Sequence, residues 1–225
     1  DGSLYGTLCA TSTARKPLSE RAEQVLKLFA GLIAQSIQKE SLVTQLREAN
    51  AALIAHSYTD ALTGLPNRRA IFEDLTTLFS LARHLKRNAI IAFIDLDDFK
   101  LINDRYGHEA GDQFLIEVGK RLTEEKQQDD IIGRLGGDEF LVASLSQPHQ
   151  DGDNAQLTLL KTRLSACIAG EYWLGSVHII YPGASFGVIE VDPAATDPDS
   201  ALRAADVAMH QDKKGKSKSR FLTID

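Results

Sequence analysis

The chain has 225 residues, 43% of them hydrophobic and 25% charged, an ordinary balance for a soluble globular protein with a sizeable core. A formal net charge of −6 argues against a general nucleic-acid binder, which is usually basic, yet leaves room for a nucleotide site needing only local positive charge. No apolar run approaches the roughly 18–20 residues of a membrane span, no signal-peptide pattern is present, and Cys9 and Cys167 lack metal-ligand spacing, which fits reduced thiols in the cytoplasm.

Asp1-Gly2-Ser3 is a turn signal, and Leu4 to Thr11 then reads as a strand. A lone strand cannot bury its own faces, so it is expected to be the remnant of a sheet. The chain opens without Met and reads as a fragment of a longer protein. The Gly-x-Leu run here resembles the last strand of a GAF sensory domain, which precedes a closing helix.

Ser19 can cap a helix whose first turn carries Glu20 and Glu23. Val25, Leu28, Phe29, Leu32, Ile33 and Ile37 then recur at helical period. Val43, Leu46, Asn50 and Leu53 follow at the 3-4-3 spacing of heptad a and d positions, with a stutter between the runs. One long helix, or two nearly continuous ones, is the expectation. A narrow apolar seam with Asn at an a position favours a dimerising parallel coil; packing on the helix's own domain is the alternative.

Gly64 and Pro66 break that helix, and Asn67 can cap the next, which carries Ile71, Phe72, Leu75, Leu78 and Phe79. Ala89 to Leu96 is a nearly continuous apolar run ending in Asp95, as in a central strand covered on both faces. Asp97 and Asp98 follow. Gln113 to Glu125 is an amphipathic helix. Ile131-Ile132 and Phe140 to Ala143 flank Gly136-Gly137, a hairpin with its turn at the glycines and Asp138 and Glu139 at its rim. Pro148 to Asn154 is a polar connection, and Leu157 to Ile168 a helix. Tyr172 to Ile180 and Ala184 to Val191 read as a strand pair around Pro182-Gly183. Ser200 to His210 is a helix, Lys213 to Lys218 a basic run and Phe221-Leu222 a short strand. Alternating strands and helices indicate a layered α/β (α+β) domain, with a ferredoxin-like βαββαβ core plus an added hairpin.

If the hairpin pairs beside the Ala89–Leu96 strand, Asp95 and Asp138 converge. Converging carboxylates repel unless a cation compensates, and hard oxygens suit Mg²⁺ or Mn²⁺. The Leu96 carbonyl could add a third oxygen. Taken singly, these acids could equally be solvated turns. Lys100 and the cluster Lys213, Lys214, Lys216, Lys218 and Arg220 could neutralise phosphates or simply form a solvated tail. Asn103 and Asp112 have the donors and acceptors a guanine edge needs, although spacing does not select them.

Arg134-Leu135-Gly136-Gly137-Asp138-Glu139-Phe140 carries the signature of the GGDEF family, the diguanylate cyclases. Asp60-x-Leu62-Thr63-Gly64-Leu65-x-Asn67-Arg68-Arg69 resembles that family's N-terminal signature, and Asp95-x-Asp97-x-Phe99-Lys100-x-x-Asn103-Asp104 with Gly107-His108-x-x-Gly111-Asp112 its metal and guanine segment. Ala184-Ser185-x-Gly187-Val188 and Ala205-Asp206-x-Ala208-Met209 resemble its later motifs. The resemblance spans Asp60 to Asp225. It implies domains at 1–17 (GAF-like remnant), 18–59 (signalling helix) and 60–225 (cyclase).

It also implies roles. Asp95, the Leu96 carbonyl and Asp138 would hold divalent metal, two Mg²⁺ or Mn²⁺ ions per site. Glu139 would act at the reacting centre, as metal partner or in activating the attacking hydroxyl. Asn103 and Asp112 would bind guanine. Lys100, Lys213 and Lys216 would bind triphosphate, which Gly136 and Gly137 let the backbone approach, with Asp98 and Phe99 also in contact with substrate. Two domains, each with one GTP, would meet face to face in a homodimer and form cyclic di-GMP. A degenerate module that binds GTP or cyclic di-GMP and signals by contact is the alternative.

Two departures from the family pattern stand out. Its Arg-x-x-Asp inhibition site reads Gln127-Gln128-Asp129-Asp130 here, so the arginine fork is missing. The usual Lys-x-x-Gly-Arg/Lys is Lys213-Lys214-Gly215-Lys216, one residue short, and His210 replaces a common Tyr.

Overall fold

The computed structural model describes residues 6–7, 9, 17, 19–127, 129–147, 155–216 and 222–223, with backbone alone at 48–57 and 222–223. The expected strand at 4–11, as a whole, and the connection at 148–154 lie outside these residues, as do Lys218 and Arg220. The chain divides into two units, 1–55 and 56–225.

Helix α1 (Glu20–Tyr58) is one continuous helix of 39 residues, so the first of the two expectations holds. Ser19 Oγ accepts the Ala22 N–H at 3.3 Å. Leu28, Phe29, Leu32, Ile33, Ile37, Leu42, Val43 and Leu46 are all exposed on the single chain.

The second unit begins with α2 (Arg68–Leu85), where Asn67 caps the N–H groups of Arg69 and Ala70 as the sequence predicts. There follow β1 (Ala89–Leu96), α3 (Phe99–Tyr106), α4 (His108–Glu124), β2 (Ile131–Gly136) and β3 (Glu139–Leu145). Next come α5 (Ala155–Ile168), β4 (Gly170–Leu174), β5 (Val177–Tyr181), β6 (Ala184–Val191), α6 (Pro198–Gly215) and β7 (Leu222–Thr223). Four strands form an antiparallel sheet in the order β2-β3-β1-β6, the ferredoxin-like arrangement.

Every residue of β1 is buried, and its alternation explains the unbroken apolar run. Ile90, Ala92, Ile94 and Leu96 join a cluster with Phe114 and Val118 of α4 and Leu164 of α5. Ile91 and Phe93 join a second cluster with Leu75 and Phe79 of α2 and Ala205 and Met209 of α6. Successive side chains point to opposite faces, so a strand with helices on both sides must be apolar throughout.

Three expectations need correcting. The hairpin turn is Gly137-Asp138, one residue on from Gly136-Gly137, because Gly136 pairs with Glu139 and a bulge falls between Arg134 and Gly136. Tyr172 to Ile180 is not one strand: β4 and β5 pair with each other across a turn in which Gly175 has φ of 65°. That hairpin and β7 make a separate three-stranded sheet, and β6 pairs with β1 instead. Finally, α4 begins at His108, and α6 runs on to Gly215, which puts Lys213 inside a helix.

Arg134 ties the second unit's first segment to the hairpin. Its Nη1 donates to Asp60 Oδ1 at 2.7 Å, while Nε and Nη2 donate to the Gly137 carbonyl at 3.1 and 2.7 Å. Asp60 also accepts from Thr63 N–H and Oγ1 at 2.9 and 2.7 Å. Burial alone would raise the Asp60 carboxyl; the Thr63 N–H and the Arg134 guanidinium outweigh it and hold the group below its ordinary range.

Two predictions follow from this packing. A Cβ on Gly187 would stand 1.9 Å from the Ala205 carbonyl oxygen of α6. Gly187→Ala should therefore cost about 1–3 kcal/mol in urea unfolding, and more if α6 detaches. Asp60→Asn should cost about 1.5–3 kcal/mol at neutral pH, the scale of a hydrogen bond to a charged group. Because the folded carboxyl is depressed, its contribution is complete above the unfolded value of about 4 and is lost as pH falls through the lower folded value. Unfolding measured across pH should then show the two proteins converging below about pH 4.

Candidate active site

Pairing of β1 with β3 and β6 sets Asp95 directly opposite Glu139 on one side and Ser185 on the other. Asp138, in the two-residue turn, is held against β1 by the Leu96 N–H, which donates to its carbonyl at 3.1 Å. Gly137, at φ of 53°, makes the reversal that a side chain would resist. Sheet register thus sets Glu139 directly opposite Asp95, while Asp138 stands in the adjoining turn, outside the register.

Burial raises the carboxyl groups of both Asp138 and Glu139, and the negative charge of Asp95 raises them further. Asp95 is only 7% exposed. The last turn of α6 supplies the opposing charge: Lys213 Nζ lies 2.6 Å from Asp95 Oδ1. Burial alone would lower the Lys213 ammonium, but Asp95, Asp138 and Asp97 together leave it raised.

Asp97 anchors a second cluster beside the first. Its Oδ1 accepts from Ser185 Oγ at 2.6 Å, its Oδ2 stands 3.2 Å from Lys216 Nζ, and its carbonyl accepts from buried Tyr181 Oη at 2.8 Å. Lys216 Nζ also donates to the Ala184 carbonyl at 2.5 Å. The shortened Lys-rich motif therefore still brings two ammonium groups to the acids.

The remaining predicted residues line α3 and α4. Asp98 takes a left-handed φ of 57° between β1 and α3, a conformation that Asp tolerates better than most residues. The Phe99 ring stacks on Phe114 at 6.2 Å between centroids, so its side chain belongs to the core. Lys100 is exposed in the first turn of α3. Asn103 lies over Gly111, where a Cβ would fall 1.9 Å from its Oδ1, so a bare backbone brings Asn103 to the turn carrying exposed Asp112. In the inhibition window, Asp130 is 5% exposed and its Oδ2 is already taken by Arg163 at 3.0 Å and the Gln127 N–H at 3.0 Å.

Sequence reasoning missed the role of Asp97 with Ser185, the Arg134–Asp60 link, and Asp212. Both ends of the first two pairs lie inside quoted motifs, so complementary polarity within the motifs was the available signal. Among the described residues no group of three or more His, Cys, Asp or Glu side chains is gathered as a metal cluster. The predicted set of two carboxylates and a carbonyl is a smaller one.

Comparison with known proteins shows which family the chain belongs to. The sequence profile of the family described as diguanylate cyclase, GGDEF domain, matches residues 57–219. The chain is 66% identical to diguanylate cyclase DgcP of Escherichia coli K12 over 99% of its own length, and spans 64% of that relative. A sensory box/GGDEF family protein from Caulobacter crescentus superposes with a TM-score of 0.65 at 30% identity, covering 71% of this chain and 99% of that one. The coiled coil and GGDEF domain of DgcB from the same organism, solved with c-di-GMP, gives a TM-score of 0.71 at 24% identity over 83% of this chain and 96% of that one, a likeness of fold. With the profile matching most of the chain and a relative 66% identical over nearly all of it, the protein belongs to the GGDEF family of diguanylate cyclases.

Proposed function

We propose that the chain is a diguanylate cyclase. Two copies, each holding one GTP, meet face to face. The 3′-oxygen of each nucleotide forms a bond to the α-phosphorus of the other, the bond from that phosphorus to pyrophosphate breaks, and each attacking hydroxyl gives up its proton. Two GTP become cyclic di-GMP and two pyrophosphates. The observation that carries this reading is the pairing of Asp95 with Glu139 across β1 and β3, beside the turn that carries Asp138, with Lys213 against Asp95.

The donor set fits a divalent ion. Asp95, the Leu96 carbonyl and Asp138 are hard oxygens, and a cation, the Lys213 ammonium, already stands against the Asp95 carboxylate. Two Mg²⁺ or Mn²⁺ ions would be held there, and when bound they would neutralise charge on the triphosphate and on the departing pyrophosphate. The chain's own groups do the rest. Asn103 and Asp112 read guanine, while the N-terminus of α3 and Lys100, Lys213 and Lys216 meet the phosphates. Glu139 stands at the reacting centre. Residues 60–225 form the catalytic domain and 18–59 the dimerising coil, in keeping with the exposed apolar seam of α1. No helix among the described residues is long and apolar enough to cross a membrane. On separate grounds, the need for GTP, we assign the site to the cytoplasm.

GTP with Mg²⁺ should yield pyrophosphate and cyclic di-GMP at a rate second order in protein at low concentration. Asp138→Ala should abolish turnover with the thermal midpoint kept; GTP binding without turnover in the unaltered chain would instead mark a signalling module. Removing residues 1–59 should preserve nucleotide binding and slow the reaction, since the coil raises the effective concentration of the two half-sites.

Product inhibition at the 127–130 window should be weak or absent, because Gln127 offers no guanidinium and Asp130 is already paired. Titrating cyclic di-GMP by calorimetry checks this; tight binding that Asp130→Ala removes would contradict it.

A further inference from the structure

Asp212 lies in α6 immediately before Lys213 and joins three elements. Its Oδ2 accepts the Phe186 N–H of β6 at 3.0 Å, and its Oδ1 accepts Lys161 Nζ of α5 at 2.6 Å. Lys216 Nζ stands 3.5 Å from its Oδ2. β6 is the last strand of the four-stranded sheet, so a carboxylate meets the Phe186 N–H where no further strand does. An ordinary surface ion pair contributes little. This one is half-buried and also satisfies an edge-strand backbone donor.

The helix is fixed at a second place. Gly187 lets the α6 backbone at Ala205 and Met209 press against β6, with no room there for a Cβ. From Ala205 to Asp212 is about two turns. A helix held on one strand at two points along its length can neither roll nor slide, so the direction of the following residue is determined. Lys213 then reaches Asp95 at 2.6 Å, and Lys216 reaches Asp97 at 3.2 Å.

We propose that Asp212 is a positioning residue for the triphosphate-binding lysines: its grip on the Phe186 N–H and Lys161 sets where the ammonium groups of Lys213 and Lys216 stand. The inference rests on the proposed reading of Lys213 as a phosphate ligand. Asp212 itself touches no reacting atom. It acts by holding the last turn of α6 in register with β6, so its loss should weaken contacts to the outer phosphates and spare contacts to guanine.

The test uses the full chain with Asp212→Ala, Asp212→Asn, Lys161→Met and Lys213→Met. Turnover of GTP gives KM and kcat, competitive inhibition by GMP reports the guanosine end, and thermal midpoints report folding. Asp212→Ala should raise KM for GTP about tenfold, as for one lost hydrogen bond to a charged group, while GMP inhibition holds constant. Asp212→Asn keeps an acceptor for Phe186 N–H and should recover most of the loss. Lys161→Met removes one partner only and carries the same comparison if the Ala variant does not fold. A KM unchanged in Asp212→Ala, or GTP and GMP weakened alike, overturns the proposal. Should Lys213→Met leave KM unaltered, the phosphate reading of Lys213 fails. A loss in Lys213→Met without one in Asp212→Ala sinks the role of Asp212 alone.

Discussion

Crowding of negative charge at the end of one buried strand is the constraint on which this structure depends. Asp95 sits at the end of an otherwise apolar β1, with Glu139 paired across from it, Asp138 in the adjoining turn and Asp97 just beyond. Such a group is unfavourable when partly desolvated, and the raised Asp138 and Glu139 carboxyls express that cost. Lys213 and Lys216 relieve part of it. In the proposed reading a doubly charged ion held by these acids would strengthen that compensation, and the lysines would serve phosphate oxygens.

The scaffold delivers these charges through the sheet, the tight turns at its strand ends and the last turn of α6. Antiparallel register fixes Asp95 against Glu139 and Ser185. Arg134 holds the turn carbonyl from inside, and Asp60 holds Arg134. On the other flank α6 lies close against β6 because Gly187 leaves no side chain between them. Acids and lysines therefore ride on separate elements whose relative placement is set by strand register, the close approach at Gly187 and the side-chain ties of Arg134 and Asp212. Fixed geometry of that kind suits phosphoryl transfer, where positioning and charge compensation supply most of the catalysis.

Much of this was legible in the sequence because its causes are local. The unbroken apolar run from Ala89 announced a strand covered on both sides, and helical period on either side of a stutter pointed to one long helix or two nearly continuous ones, of which α1 is the first. The motif acids could be named because their spacing resembles a known family. What stayed hidden depends on non-local pairing. Gly136 and Gly137 both look like turn residues, and only the bulge beside Leu135 moves the turn to Gly137-Asp138. Pro182-Gly183 outweighs Gly175-Ser176 as a local turn signal, yet the chain reverses at the latter and uses the former to cross between sheets. Asp212 was masked by the basic run around it, since its partners Lys161 and Phe186 come from elements distant in sequence.

A single copy of this site cannot carry the proposed reaction through, and that follows from chemistry more than from shape. Each GTP presents one 3′-hydroxyl and one α-phosphate, and closing a ring of two nucleotides needs both pairs opposed at once. In that reading the groups described here would bind and orient one nucleotide, and the attacking oxygen would arrive with a second copy. Regulation then has no need to alter Asp95, Asp138 or the lysines. It has only to change how often two assembled half-sites face each other, and in the proposed reading pairing of α1 along its exposed apolar seam would do that by changing their effective concentration.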